Sequence, residues 1–286
     1  LMFSQDGALV ASAGSDGVIR IWDAHSGLPR PFYGRATVTT ADRMAFSPTA
    51  DKLAVLGAQR VWIMDSESGD ELASIDLGEV HADLEFADDD SILLGAESGT
   101  LRSLYPDRTG NWHLRNIWQG SGPIRLIAVA QERKTIVLAD AANRLHTLDP
   151  QGGEIGADVL SVPGTLLDVA FSPDESRVLA RTGRWIHRAL MTPQGLVWTD
   201  TIRSPRVMRG SQMAFDSRRE PGGARSAGLA GDRVLLLSRA AGGAELVELG
   251  FRYADGPGLF GSRAALLENW TTRLQGDVRP IMLPGL

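Results

Sequence analysis

Short apolar runs broken by polar turns recur along the whole chain. Leu9–Ala13 and Val18–Trp22 carry apolar residues on both alternating faces, and Val61-Trp62-Ile63-Met64-Asp65 repeats the pattern. Such runs, bounded by Gly, Asp, Ser and Pro, read as strands. A strand that is apolar on both faces needs cover on both. Few stretches show a helical period, so the pattern predicts an all-β fold.

One landmark is an apolar residue entering a polar turn. It occurs as Phe3-Ser4-Gln5-Asp6-Gly7, Phe46-Ser47-Pro48-Thr49-Ala50, Phe86-Ala87-Asp88-Asp89-Asp90 and Phe171-Ser172-Pro173-Asp174-Glu175. Weaker copies stand at Val129-Ala130-Gln131-Glu132 and Phe215-Asp216-Ser217-Arg218. The anchors are 43, 40, 43, 42 and 44 residues apart. A turn glycine keeps the same beat at Gly27, Gly69, Gly110, Gly153, Gly195 and Gly243, in steps of 42, 41, 43, 42 and 48. Glycine suits a tight connection between antiparallel strands, where positive φ is often required. Two features repeating in phase define a structural repeat. Sheets stacked radially cover both faces of every strand, and a propeller follows from that geometry.

The segment Ser12-Ala13-Gly14-Ser15-Asp16-Gly17-Val18-Ile19-Arg20-Ile21-Trp22-Asp23 resembles the second strand, turn and third strand of WD40-repeat β-propellers. Ser12, Asp16 and Trp22 match three members of that family's buried Asp–His–Ser–Trp network. Later repeats depart from it, with Met64-Asp65, Tyr105-Pro106, Leu148-Asp149, Leu190-Met191 and Leu237-Ser238 at the Trp-Asp position. No Gly-His dipeptide opens any repeat. The resemblance implies a single β-propeller of four-stranded antiparallel blades over 1–286, with blades near 1–34, 35–78, 79–120, 121–162, 163–205, 206–255 and a shortened seventh at 256–286. Six blades, with the tail strand closing on the N-terminal repeat, is the alternative. It further implies an interaction or scaffold module presenting its loop faces to a protein or peptide.

Composition narrows the chemistry. The absence of cysteine excludes disulfides, a thiol nucleophile and thiolate metal sites. No apolar run approaches the ~20 residues that span a bilayer, so no membrane is expected. The opening Leu1-Met2-Phe3 lacks the basic and apolar regions of a signal peptide. It reads as a strand whose beginning lies upstream, so a missing upstream portion is expected. The resemblance to WD40 propellers further implies a sensor or scaffold domain at the C-terminal end of a larger, bacterial, cytoplasmic protein.

Catalytic motifs are scarce. There is no Gly-Lys for a Walker loop, no G-x-S-x-G elbow, and no two histidines closer than 32 residues. Asp88-Asp89-Asp90 lacks the alternation of a calcium loop and reads as a solvated turn, and Asp107–Trp112 reads as a turn between third and fourth strands. Trp22, Trp62 and Trp185 fall in third strands and are expected to pack between blades. The sequence therefore predicts no enzyme, no cofactor and no metal. A hydrolase or lyase with a central-channel site is the alternative from another class.

The net charge of −6 divides unevenly. Residues 1–100 carry 6 basic and 17 acidic residues, and 101–286 carry 23 and 18. Arginine makes up 27 of the 29 basic residues, and seven lie in 177–209 against Asp200 alone. Arg184 and Arg233 are placed in loops between second and third strands, and Arg206 and Arg209 between the fifth and sixth repeats. On a WD40-type propeller these four share a face, where guanidinium forks suit an acidic partner. The overall negative charge disfavours nucleic acid, although phosphate or nucleic-acid binding through the arginine-rich side is an alternative. A plain solvated rim accounts for the same residues.

Overall fold

The computed structural model describes residues 2–4, 8–13, 18–24, 26–30, 41–57, 59–156, 159–172, 174–183, 185–203, 212–215, 231–240, 243–252 and 265–270. Among them every regular element is a strand, and the strands form antiparallel meanders in simple sequence order.

The first compact unit, Leu1–Ser161 with Pro193–Gly195, holds four sheets. The first contains β1 (Met2–Phe3), β2 (Leu9–Ala13) and β3 (Ile19–Asp23), with a single bridge from Trp22 to Pro29 beyond it. The second contains β4 (Arg43–Phe46), β5 (Lys52–Gly57), β6 (Arg60–Asp65) and β7 (Glu71–Asp76). The third contains β8 (His81–Phe86), β9 (Ile92–Ala96), β10 (Thr100–Pro106) and β11 (Trp112–Gln119). The fourth contains β12 (Ile124–Ala130), β13 (Thr135–Asp140), β14 (Arg144–Leu148) and β15 (Leu160–Ser161). The first strands of consecutive sheets pack together, β1 on β4, β4 on β8 and β8 on β12.

The second unit, Val162–Thr192 with Leu196–Leu286, holds two sheets. One contains β16 (Leu166–Phe171), β17 (Arg177–Thr182), β18 (Trp185–Thr192) and β19 (Gly195–Arg203). The other contains β20 (Gln212–Phe215), β21 (Gly231–Ala240), β22 (Gly243–Arg252) and β23 (Ala265–Trp270). Ala265–Trp270 falls in the stretch expected to open a seventh blade, yet it pairs with β22 as the outer strand of the sixth sheet. Three lengths place it there: 15 residues separate β20 from β21, β21 and β22 have ten residues each, and 12 residues separate β22 from β23.

Packing explains why strands are apolar on both faces. Along β5, Leu53 and Val55 join a cluster with Ile19 and Ile21 of the first sheet. Ala54 and Leu56 turn the other way, onto Leu84 and Phe86 of the third. Leu93 and Leu101 repeat the arrangement against Ile124 and Leu138 of the fourth. Each fully buried Leu, Ile or Phe contributes about 1.5–3 kcal/mol. Gly95 is small for a reason: a Cβ there would meet Ile124 Cγ2 at 2.6 Å.

The Phe-Ser landmark also has a physical cause. The buried Ser4, Ser47 and Ser172 hydroxyls accept the N–H groups of Leu9, Lys52 and Arg177, at 2.9, 3.0 and 3.0 Å. Each closes the hairpin from a first to a second strand by satisfying a donor that would otherwise be buried unpaired.

Candidate functional site

The residues matching the WD40 network are partly in place. Trp22 on β3 donates its indole N–H to Ser12 Oγ on β2 at 2.9 Å. Asp16 lies outside the described residues. The acid of the Trp-Asp pair has its own role: Asp23 Oδ1 accepts the Ser26 N–H, and Asp65 Oδ1 those of Glu67 and Ser68. Asp107 caps Thr109 and Asn111, and Asp149 caps Gln151 and Gly153. These four aspartates stand 42 residues apart, each sealing the turn after a third strand. Tyr105-Pro106 is therefore one residue early for the third repeat, whose acid is Asp107. In the fourth, the left-handed glycine is Gly152, at φ 89°, while Gly153 serves as a donor. The Ser68 N–H chiefly holds the Asp65 carboxyl below the usual range. For Asp107 the leading cause is His113, whose ring nitrogen lies 2.9 Å away.

Of the four arginines expected to share a face, Arg184, Arg206 and Arg209 lie outside the described residues. Arg233 does not occupy a loop between second and third strands. It lies within β21 opposite Gly250, near the strand start, whereas the β21–β22 connection falls after Ala240. The turn glycine Gly243 had set the phase here, and its 48-residue step marks a shift of connection rather than the next turn of the same kind.

The arginine-rich window is not a solvated rim throughout. Arg181 and Arg188 are each 2% exposed. Arg188 makes a two-pronged ion pair with Asp200, and Arg181 stands 3.9 Å from the Asp168 carboxylate. Trp185 departs the opposite way: it opens β18 directly after the turn and is 42% exposed rather than packed between sheets. Asp88-Asp89-Asp90 does form a turn between first and second strands. It is tied to the second sheet, since Asp89 accepts from the Thr49 N–H and hydroxyl and Asp90 pairs with Lys52.

Titratable groups gather on β8. The buried Asp83 accepts the Arg43 Nε–H at 3.1 Å and the Ile127 N–H at 2.8 Å, joining three consecutive first strands. Two residues on, on the same face, burial and then the Asp83 charge push the Glu85 carboxyl up to about 8. On the fourth sheet, Asp140 accepts N–H groups from Ala142 and Arg144 and pairs with the Arg144 guanidinium. His146 lies 3.5 Å from Asp140 Oδ2, with its ring centroid 5.0 Å from that of Trp118. Burial lowers the pKa of His81 and of His187. Among the described residues no three His, Cys, Asp or Glu side chains are grouped to hold a metal ion.

A groove of about 540 Å³ opens between the third and fourth sheets, beside the turns that follow their first and third strands. Leu93, Val129 and Ile136 form its apolar floor, while Tyr105, Arg115 and Lys134 stand exposed at its edge. Two of the repeated turn landmarks contribute to it, Ala87 and Asp88 from one and Val129 and Gln131 from the other. Its residues come from five strands and three turns, brought together by sheet register.

Comparison with known proteins agrees with this geometry. Residues 1–23 match the family model of the WD domain, G-beta repeat (WD40). No curated protein matches the sequence. Among solved structures, the β-propeller domain of Cps50 (Swd1) from Myceliophteria thermophila aligns with a TM-score of 0.63 at 12% identity, covering 94% of this chain and 85% of that one. The first sheet thus lies in the stretch that matches a WD40 repeat, and the fold is that of an all-β propeller.

Proposed function

We propose that this chain is a non-enzymatic interaction module, presenting the loop faces of a propeller to a protein or peptide. One observation carries the reading: a WD40 repeat set within a propeller fold. Packed sheets make a rigid scaffold, and binding residues sit on the loops that such a scaffold positions. The fold alone does not decide function. Arg184, Arg206 and Arg209 stay as proposed contacts for an acidic partner, without Arg233. The preference for arginine, 27 of 29 basic residues, supports a GC-rich bacterial source.

Cross-linking of the tagged protein in its own cells tests the proposal. The expected result is a stoichiometric protein partner that is lost on Arg206→Glu plus Arg209→Glu. A protein without any such partner would overturn it. A second reading, a hydrolase acting beside β8, draws on the Glu85 carboxyl, which stays protonated near neutral pH. Asp83 is engaged by Arg43 and Ile127, so this reading needs a second reactive group. Turnover abolished by Glu85→Gln would favour it.

A further inference from the structure

The groove between the third and fourth sheets combines an apolar floor with two cations, Arg115 and Lys134, against the single carboxylate of Asp88 in its lining. Strand register explains how. Ser103 faces Leu93 on one side and Arg115 on the other, so β9, β10 and β11 turn these residues, and Tyr105 two places on, toward the groove. From the fourth sheet, Val129 faces Ile136, and Lys134 precedes that strand pair on a turn.

Among the described residues, neither the Lys134 ammonium nor the Arg115 guanidinium makes a hydrogen bond or ion pair. The Arg115 Cζ lies 6.0 Å from the Tyr105 ring centroid, a cation–π approach that leaves its N–H edge available. The carboxylate in the lining, Asp88, is already engaged by the backbone N–H groups of Asp90 and Ser91. Neighbouring cations behave differently: Lys52 pairs with Asp51 and Asp90, and Arg102 with Glu79.

We infer that this groove is the docking site for an extended acidic segment of a partner protein, an assignment that rests on the interaction-module reading. An apolar side chain of the segment settles on Leu93, Val129 and Ile136. A flanking carboxylate accepts from Arg115 and Lys134. The volume of about 540 Å³ falls in the range that encloses several side chains. Two exposed cations beside an apolar floor favour carboxylate over neutral or basic sequences through charge complementarity.

Selection of random peptides displayed on phage against the whole chain, followed by fluorescence anisotropy with the synthesised winners, tests this. Winners enriched in Asp and Glu beside Leu or Phe are expected. Arg115→Glu plus Lys134→Glu should weaken them at least 10-fold, and raised salt should weaken them too. Both side chains are exposed, so a melting curve equal to wild type confirms that the double variant folds. Winners indifferent to the double variant would overturn the groove while leaving the interaction module standing. Winners that need the groove yet are neutral or basic would overturn its acidic specificity. Displacement of the winners by equimolar inorganic phosphate would mark a small-anion site instead. A selection that enriches no peptide would overturn the groove as a docking site for an extended segment, while cross-linking to a protein partner still decides the interaction module.

Discussion

Trp22 reaches diagonally across β2 and β3 to hand its indole proton to Ser12 at 2.9 Å, although it lies directly opposite Val10 in the strand pairing. The bond ties a second strand to a third in the one sheet that matches the WD40 repeat. Both partners are partly buried, so losing either leaves the other with poor access to water.

Replacing Trp22 by Phe keeps a ring in place and removes the donor, while Ser12→Ala removes the acceptor. Each change is expected to cost about 1 kcal/mol, the net worth of a hydrogen bond in a folded protein. Native-state hydrogen exchange should show the β2 and β3 amides opening about 5-fold more readily. If the bond is the shared cause, the double variant opens less than the two single effects would predict together. Unchanged exchange in both singles would show that the bond contributes nothing.

The hairpin between β4 and β5 carries a strained residue beside a useful one. Ala50 sits at φ 59°, and its N–H donates to the Ser47 carbonyl at 2.8 Å. Alanine in this left-handed region pays a steric cost that glycine avoids. Ala50→Gly should therefore stabilise the protein by about 0.5 kcal/mol, whereas Ser47→Ala, which strips the cap from the Lys52 N–H, should destabilise it by about 1 kcal/mol. Urea midpoints moving in opposite directions would bear this out, and a common direction would refute it.

Much of this architecture is legible in the spacing of residues. The serine caps and the left-handed turn glycines recur because each hairpin solves the same local problem, so they appear as a period of about 42 residues. The phase is lost where one strand differs in length. The acid keeps the phase at Asp107, 42 residues after Asp65, where the Tyr105-Pro106 alignment misses it by one residue, whereas in the sixth sheet the ten-residue β21 takes Arg233 out of a loop and into a strand. Burial of Arg181 and Arg188 left no local mark, because their partners Asp168 and Asp200 lie 13 and 12 residues away on neighbouring strands. Nor did the groove's edge, since Tyr105, Arg115 and Lys134 meet only once two sheets are packed.

Asp83 illustrates such a long-range link and what it is worth. Its carboxylate holds Arg43 on β4 and the Ile127 N–H on β12, so one side chain connects three sheets. Removing it in Asp83→Ala leaves the buried Ile127 donor unmatched, a loss of about 2 kcal/mol for a charge-assisted bond. The Arg43 side chain is 48% exposed, and water can replace its partner, so Arg43→Met should cost less than half as much. Equal costs in urea unfolding would show that the ion pair, and not the backbone bond, dominates.

Glu85 makes the stability of the protein depend on pH in the direction opposite to most carboxylates. Burial, reinforced by the charge of Asp83, raises its pKa from 4.5 to about 8, against a modest lowering by the Phe86 N–H. Between these values the folded chain keeps a proton that the unfolded chain releases. The folded state thus binds more protons there, and stability must fall as pH rises from about 4.5 to about 8, then level off as the folded form ionises too. Glu85→Gln removes the titrating group while preserving its shape. The variant should match wild type near pH 4.5 and become progressively more stable than wild type toward pH 8, as read from urea midpoints at a series of pH values. A wild-type-minus-variant difference that stays constant over this window would mean that Glu85 ionises at its ordinary value, and that the interior beside β8 is open enough to hydrate its charge.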